Sequence, residues 1–427
     1  MIAKLLQRLK GELALALMRT FVARGVAAVG GIVLFIVLGR LYGADGVGVF
    51  AIAQSIYLGA GILARYGMDN ALMRYVGQDP TASSVPVYLR WALIKSTFLS
   101  IASAVLVFLL RGQFALWFNA PMLVEILPGI ALAIPPFTVS FVLAGFMKGI
   151  RKPASACLLE NGGIALVATL LVLVFDRIST AGIAMTGWSM AAAACLVLAQ
   201  GLWQVRSYIK SKHAGVGVNS VDPGAFNSSS NTFFVMSMAG FMQNVVGIII
   251  AGSLLSSSEL GLFKVAERTA ALIGFTLLVL NSVLPPRFSS LYQSREITSL
   301  EKLAKIGILL GLILSAPLLL VFFIIPEYVL SLYGEAFVNA SLILCIIAVS
   351  QAVNVATGPA SQLLNMTGNE QLMKKIALCT NAVGLLLYLI LIPFFGGIGA
   401  ALALSFVLVF ENLITLFYVR RILGILR

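Results

Sequence analysis

Charge is scarce in this sequence. Only 11% of its 427 residues are Asp, Glu, Lys or Arg, and it has a single histidine and four cysteines. Soluble domains average about 25% charged residues. A chain this poor in charge, 60% hydrophobic and with a mean hydropathy of +1.02, cannot dress a water-facing surface, and is read as a polytopic membrane protein. Cys157, Cys195, Cys345 and Cys379 stand inside apolar segments with no paired spacing. This argues against a disulfide framework or a metal site and makes them small apolar residues. The lone His213 lies in a polar loop and reads as solvated. There is no phosphate-cradling glycine loop with its lysine, no Cys/His ligand spacing and no acid pair in a large external loop. No catalytic residues, metal or cofactor are therefore expected, and the chain is not expected to be an enzyme. The net charge of +13 would suit a nucleic-acid partner only if the bases formed one face of a soluble fold.

What is abundant is long apolar runs. They fall at 18–39, 47–67, 88–110, 121–147, 154–175 and 181–204, and again at 231–254, 265–286, 303–325, 337–360, 373–395 and 398–419. Each is near the ~20 residues that a bilayer core requires. Twelve transmembrane helices are expected, six either side of a polar segment at 205–230. Residues 1–17 alternate Leu5, Leu6, Leu9, Leu13 and Leu17 with Lys4, Arg8 and Lys10 at helical spacing. That segment reads as an amphipathic helix on the membrane surface rather than a cleavable signal. With the N-terminus placed in the cytoplasm, 23 of the 29 Lys and Arg fall on the cytoplasmic side and 4 on the other. This is the positive-inside asymmetry. It puts both termini in the cytoplasm and accounts for the net charge without nucleic acid.

The two sets of six are copies. Gly39, Leu41, Gly48, Phe50 and Ala53 recur as Gly252, Leu254, Gly261, Phe263 and Ala266 at an offset of 213, half the chain. Leu89 and Val107-Phe108 recur as Leu303 and Val321-Phe322, and Met147-x-Gly149 as Met366-x-Gly368. A repeat with an even number of spans inserts both copies in one orientation, related by an axis along the membrane normal. The expected architecture is all-α, two pseudo-symmetric six-helix bundles around a central cleft. Its parts are an interfacial helix at 1–17, bundles at 18–204 and 231–427, and a cytoplasmic linker at 205–230.

The polar residues inside the spans are the candidate site. Arg24, Ala27 and Gly31 share one helical face, and at the repeat offset become Ser237, Gly240 and Asn244. In the second and eighth spans Gln54 and Gly61 correspond to Glu267 and Gly274, with Arg65 four residues beyond Gly61. Small residues on membrane helices commonly serve close packing, and that reading is preferred for Ala27, Gly31, Gly61, Gly240 and Gly274. Arg24 is harder to assign to structure. It lies about 7.5 Å deeper than Arg19 at ~1.5 Å per residue, and an arginine at a helix centre costs roughly 2.5–3.5 kcal/mol on insertion scales. Arg19 lies close enough to the span end to snorkel. The substrate-binding candidates are Arg24, Arg19, Gln54, Arg65, Arg268 and Asn244. Glu160, Glu411 and Glu267 are candidates for ion coupling, each with the alternative of a structural ion pair. For Glu267 that partner would be the adjacent Arg268. Glu125 reads as structural. Pro128, Pro135, Pro136 and Pro317 are expected to kink their helices, and Trp91, Trp117 and Trp203 to mark membrane interfaces.

The run from Gly39 through Arg40, Leu41, Tyr42, Gly43, Ala44, Asp45, Gly46, Val47, Gly48 and Val49 to Phe50 resembles a glycine-rich turn of bacterial polysaccharide flippases. These are the Wzx-type O-antigen translocases of the multidrug/oligosaccharidyl-lipid/polysaccharide exporter superfamily. Tyr66-Gly67-Met68-Asp69-Asn70-Ala71-Leu72-Met73-Arg74-Tyr75 and Gly149-Ile150-Arg151-Lys152 resemble two further segments of that family. The resemblance implies alternating access by two six-helix bundles in the bacterial inner membrane. It implies a polyprenyl-pyrophosphate-linked oligosaccharide as substrate, moved from the cytoplasmic to the periplasmic leaflet for lipopolysaccharide assembly. It also suggests a polysaccharide polymerase or other assembly protein as a partner. Cavity arginines of the family's first span carry over to Arg24 and Arg19, whereas the second copy has Ser237 at the Arg24 position. A multidrug or cation antiporter of the same superfamily is the alternative, although it would favour an acidic cavity. A peptidoglycan-precursor flippase and a membrane polysaccharide-assembly enzyme are further alternatives. The first usually carries extra C-terminal helices, and the second a sizeable external loop or soluble domain.

Overall fold

The computed structural model describes residues 12–176, 182–212 and 223–426, and among them all regular structure is helical. In order the helices are α1 (Glu12–Arg65), α2 (Met68–Gln78), α3 (Val85–Leu109), α4 (Arg111–Trp117), α5 (Leu123–Gly149), α6 (Pro153–Leu159), α7 (Asn161–Asp176), α8 (Ala184–Lys212) and α9 (Pro223–Leu254). There follow α10 (Ser257–Ala270), α11 (Phe275–Val283), α12 (Pro285–Gln293), α13 (Ile297–Ile324), α14 (Pro326–Ser331), a 3₁₀ turn (Glu335–Ala340), α15 (Ser341–Thr357), α16 (Ala360–Met366) and α17 (Glu370–Leu423). The expected surface helix at 1–17 lies almost wholly outside the described residues. Of the expected linker, 205–212 continues α8 and 223–230 opens α9, while 213–222 lies outside them.

Among the described residues seven helices are long and apolar enough to cross a membrane, or eight if the bent α6–α7 pair is one span. Two of the seven, Phe21–Arg65 and Glu370–Leu423, have 45 and 54 residues. At ~1.5 Å per residue either exceeds twice the ~30 Å hydrocarbon core. Each is two spans joined end to end across a glycine that no other residue would replace without strain. Gly43 (φ 65°, ψ −166°) breaks α1 and Gly396 (φ 54°, ψ −134°) breaks α17. With α9 and the α10–α11 pair, every one of the twelve expected spans is met by a helix or a helix pair. Helices α5 and α13 continue through Pro128, Pro135, Pro136 and Pro317. The interruptions of the long helices fall at Gly43 and Gly396, and that between α6 and α7 at Glu160.

The chain forms two compact units, Met1–Val37 with Val49–Val245, and Leu38–Gly48 with Val246–Arg427. The first is built on α5, which α2, α3, α6 and α8 surround. Its most apolar stretch is 78% buried, against 22% for α3. Glycines admit the close neighbours. A Cβ at Gly129 would overlap the Gly187–Trp188 backbone of α8, and one at Gly145 the Asp69 carbonyl of α2.

In the second unit α17 packs on α15, α16 and α10, and α13 on α15. One part of its core gathers Leu284, Phe288, Leu300, Leu363 and Ile376. Helix α10 begins with a capping box. The Ser256 hydroxyl accepts from the Glu259 N–H at 3.2 Å, and the Glu259 carboxylate accepts from the Ser256 N–H at 3.3 Å. Ser256→Ala is expected to lower stability by about 1 kcal/mol, read as a shift in the thermal unfolding of the detergent-solubilised protein. The sequence repeat becomes physical beside this cap. A Cβ at Gly48 would overlap the Ser257 carbonyl, and a Cβ at Gly261 would overlap the Ala44 carbonyl. Ala44 and Ser257, like Gly48 and Gly261, are 213 residues apart, so repeat-related positions meet in a reciprocal contact within the second unit.

Candidate functional site

Charged groups converge in the first unit around the break between α6 and α7. Helix α6 ends at Leu159, Glu160 is extended (φ −86°, ψ −166°), and α7 begins at Asn161, bent by 43°. The bend is possible because Gly163 lies against the Leu158 carbonyl, where a Cβ would overlap. The first half of α1 lies along α7. Ala27 abuts Gly162 and Gly30 abuts Leu166, so the small residues of this face serve packing. One turn before Ala27, Arg24 is half-buried and lies within electrostatic reach of Cys157. Glu160 lies within electrostatic reach of Cys157 and pairs with Lys148 at the end of α5. The expected arginine partner of Glu160 is thus a lysine, brought there by the turn at Ile150–Lys152.

The second half of α1 supplies Tyr57, Gly61 and Arg65, four apart and therefore on one helical stripe. Gly61 lets the Phe137 ring of α5 come against this stripe, since a Cβ there would overlap the ring. Tyr57 stacks on Phe137 with centroids 4.2 Å apart. Arg65 is only 8% exposed, and its guanidinium carbon lies 3.9 Å from the Phe141 centroid and 6.0 Å from that of Phe137. Its Nε and Nη1, like the Tyr57 hydroxyl, are buried without a hydrogen-bond partner among the described residues. Asp69, Glu160 and Tyr57 lie within its electrostatic reach. Glu160 is common to the surroundings of Arg65 and of Cys157.

Three of the sequence candidates, Arg24, Arg65 and Glu160, therefore share one neighbourhood. Gln54 is half-buried one turn before Tyr57, and Arg19 is exposed. The side chain of Asn244 lies outside the described residues. In the second unit the Glu267 carboxylate accepts from Lys264 at 2.7 Å, one turn back, rather than serving only its neighbour Arg268. Arg268 lies within electrostatic reach of Tyr333, and Glu411 accepts from the Thr380 hydroxyl at 3.4 Å. Glu125 is exposed in the first turn of α5. Sequence reasoning missed Tyr57, Asp69, Lys148 and Cys157 as members of the cluster. The four-residue spacing of Tyr57, Gly61 and Arg65 was legible. Lys148 counted only as a loop charge, and nothing in the spacing of Cys157 singled it out.

Comparison with known proteins gives the following. A family model described as "Polysaccharide biosynthesis protein" matches residues 17–292, and one described as "MatE" matches residues 232–394. A Haloferax volcanii protein named "Probable low-salt glycan biosynthesis flippase Agl15" is 26% identical over 220 residues. That match takes in 51% of this chain and 45% of the relative, so less than half of the relative's length is covered. Among solved structures, an inward-facing multidrug resistance MATE family transporter of the MOP superfamily superposes with a TM-score of 0.73 at 12% identity, over 93% of this chain and 94% of that one. The lipid II flippase MurJ superposes with a TM-score of 0.71 at 13% identity, over 94% and 87%. At such identities the likeness is one of fold.

Proposed function

Because the chain belongs to the polysaccharide biosynthesis protein family, we propose that it is a flippase for a polyprenyl-pyrophosphate-linked oligosaccharide. In this reading the substrate passes from the cytoplasmic to the periplasmic leaflet of a bacterial inner membrane by alternating access, with both termini in the cytoplasm. The observation that carries the proposal is Arg65, a buried guanidinium with two N–H donors unpartnered among the described residues. A cation held in a low-dielectric interior without full pairing costs several kcal/mol, and such a residue in a membrane span is a functional candidate. A pyrophosphate offers the missing acceptors. It cannot cross hydrocarbon unaided, and planar guanidinium forks match its oxygens. Arg24 supplies a second such group. Glu160 is the resident anion of the cluster, held by Lys148, and an arriving phosphate competes with it. Ion coupling would act at this residue. Glu411 and Glu267 remain alternative coupling sites. A polymerase or other assembly protein would receive the cargo.

The test is movement of a labelled polyprenyl-pyrophosphate oligosaccharide in proteoliposomes, wild type beside Arg24→Ala and Arg24→Lys. Transport should fall at least tenfold in the alanine variant, since a charge-assisted hydrogen bond is worth about 1.5–3 kcal/mol, and be partly retained with lysine. Equal rates in all three would remove Arg24 from the substrate path. No movement by wild type, with cationic dyes extruded instead, would establish the antiporter.

A further inference from the structure

A groove with a basic rim lies elsewhere in the first unit. It has a volume of about 470 Å³ and runs between α3 and α8 over α5. Its walls are Leu89, Leu93, Leu143 and Leu202, and its rim is Arg206 and Lys210. Leu202, Arg206 and Lys210 are four residues apart on α8, so one stripe passes from apolar to basic in steps of about 6 Å. Trp203, 73% exposed, stands beside the apolar end, at the level where aromatic residues meet a membrane interface. Arg206 and Lys210 are exposed and form no ion pair among the described residues.

The groove is separate from the Arg65 cluster. Phe141 of α5 faces Arg65, and Leu143, two residues on, points about 200° around the helix at ~100° per residue. The groove thus opens on the opposite face of α5 from the candidate site.

We propose that this groove binds an anionic glycerophospholipid of the leaflet that Arg206 and Lys210 face. Its phosphate sits between those two residues, and an acyl chain lies along Leu202, Leu93 and Leu143. The charge gradient of the stripe selects the occupant. An apolar wall without bases would take any acyl chain, whereas two free cations at the headgroup level discriminate by charge. The bound lipid fastens α3, α5 and α8 to one another. The inference needs only a membrane-embedded first unit and does not depend on the transported cargo.

The experiment titrates the full-length protein in detergent with phosphatidylglycerol, phosphatidylcholine or inorganic phosphate, reading thermal unfolding and lipid retention by native mass spectrometry. Phosphatidylglycerol is expected to raise the unfolding temperature and remain bound, and the other two to do neither. Arg206→Gln with Lys210→Gln should weaken phosphatidylglycerol binding roughly 30-fold, since each base near a membrane surface contributes roughly fivefold. The charge-keeping pair Arg206→Lys with Lys210→Arg should retain it. Leu202→Trp, which fills the groove with both charges in place, should also lose it. Equal stabilisation by phosphatidylcholine or by inorganic phosphate would overturn the proposal. So would undiminished binding by the glutamine pair or by Leu202→Trp. Should the glutamine pair not fold, the lipid comparison on wild type and Leu202→Trp still decides.

Discussion

Arg65→Met is expected to reduce substrate transport by at least a hundredfold while leaving the protein as stable as wild type or more so. The two halves of this expectation have one cause. Arg65 is buried against Phe137 and Phe141 with Nε and Nη1 unpartnered among the described residues. Methionine keeps the apolar stem on those rings and removes the cost of a desolvated charge. A desolvated ion costs several kcal/mol, and removing it does not destabilise where no paired ion is left uncompensated. Glu160 is not stranded by the change, because Lys148 still holds it. Arg65→Lys should keep part of the transport, as a point charge without the guanidinium fork. Proteoliposome flipping rates and thermal unfolding, measured on the same preparations, check both halves. A methionine variant that transports normally would make Arg65 structural. One that melts far below wild type would show that the guanidinium holds the helices together.

Gly48→Ala and Gly261→Ala are each expected to cost about 1–3 kcal/mol, the range for overpacking a tight interior. Elsewhere the same change in a helix should help slightly, because alanine lowers the entropy lost on folding. Gly112, with nothing within 4 Å of its would-be Cβ, is the control, and Gly112→Ala should not destabilise. The reciprocal geometry makes a sharper statement. Each new Cβ would press on a carbonyl of the opposite helix, Ser257 in one case and Ala44 in the other. Once one methyl has pushed the helices apart, the second enters a gap already opened. The double variant should therefore cost less than the two single costs together, with a coupling of at least about 0.5 kcal/mol. Chemical or thermal unfolding of the four proteins completes the cycle. Strict additivity would mean that the two contacts are independent, and that the repeat has no reciprocal interface there.

The membrane class, the helical content, the positions of the twelve spans and the internal duplication were all legible in the sequence. Hydropathy and spacing are properties of the chain in one dimension, and a bilayer forces apolar stretches into helices wherever they are long enough. Arg24 stood out for the same reason, as a charge where charge is expensive, whereas Arg65 was marked only by its place four residues beyond Gly61. What the spans do to one another was not legible. The sequence offered Glu267 its neighbour Arg268, and folding gave it Lys264 one turn away. It offered Glu160 an arginine as ion-pair partner, and the turn after α5 brought Lys148 instead. It marked prolines as kink sites, and α5 and α13 continue through them. The breaks fell at Gly43 and Gly396, whose backbones adopt positive φ. Cys157 had no distinguishing spacing, and only the packing of α1 on α7 set it within electrostatic reach of Arg24. Pairing is decided by distances through space between residues far apart in the chain. Those distances depend on which glycines admit a neighbouring helix, and that is settled only when the helices pack.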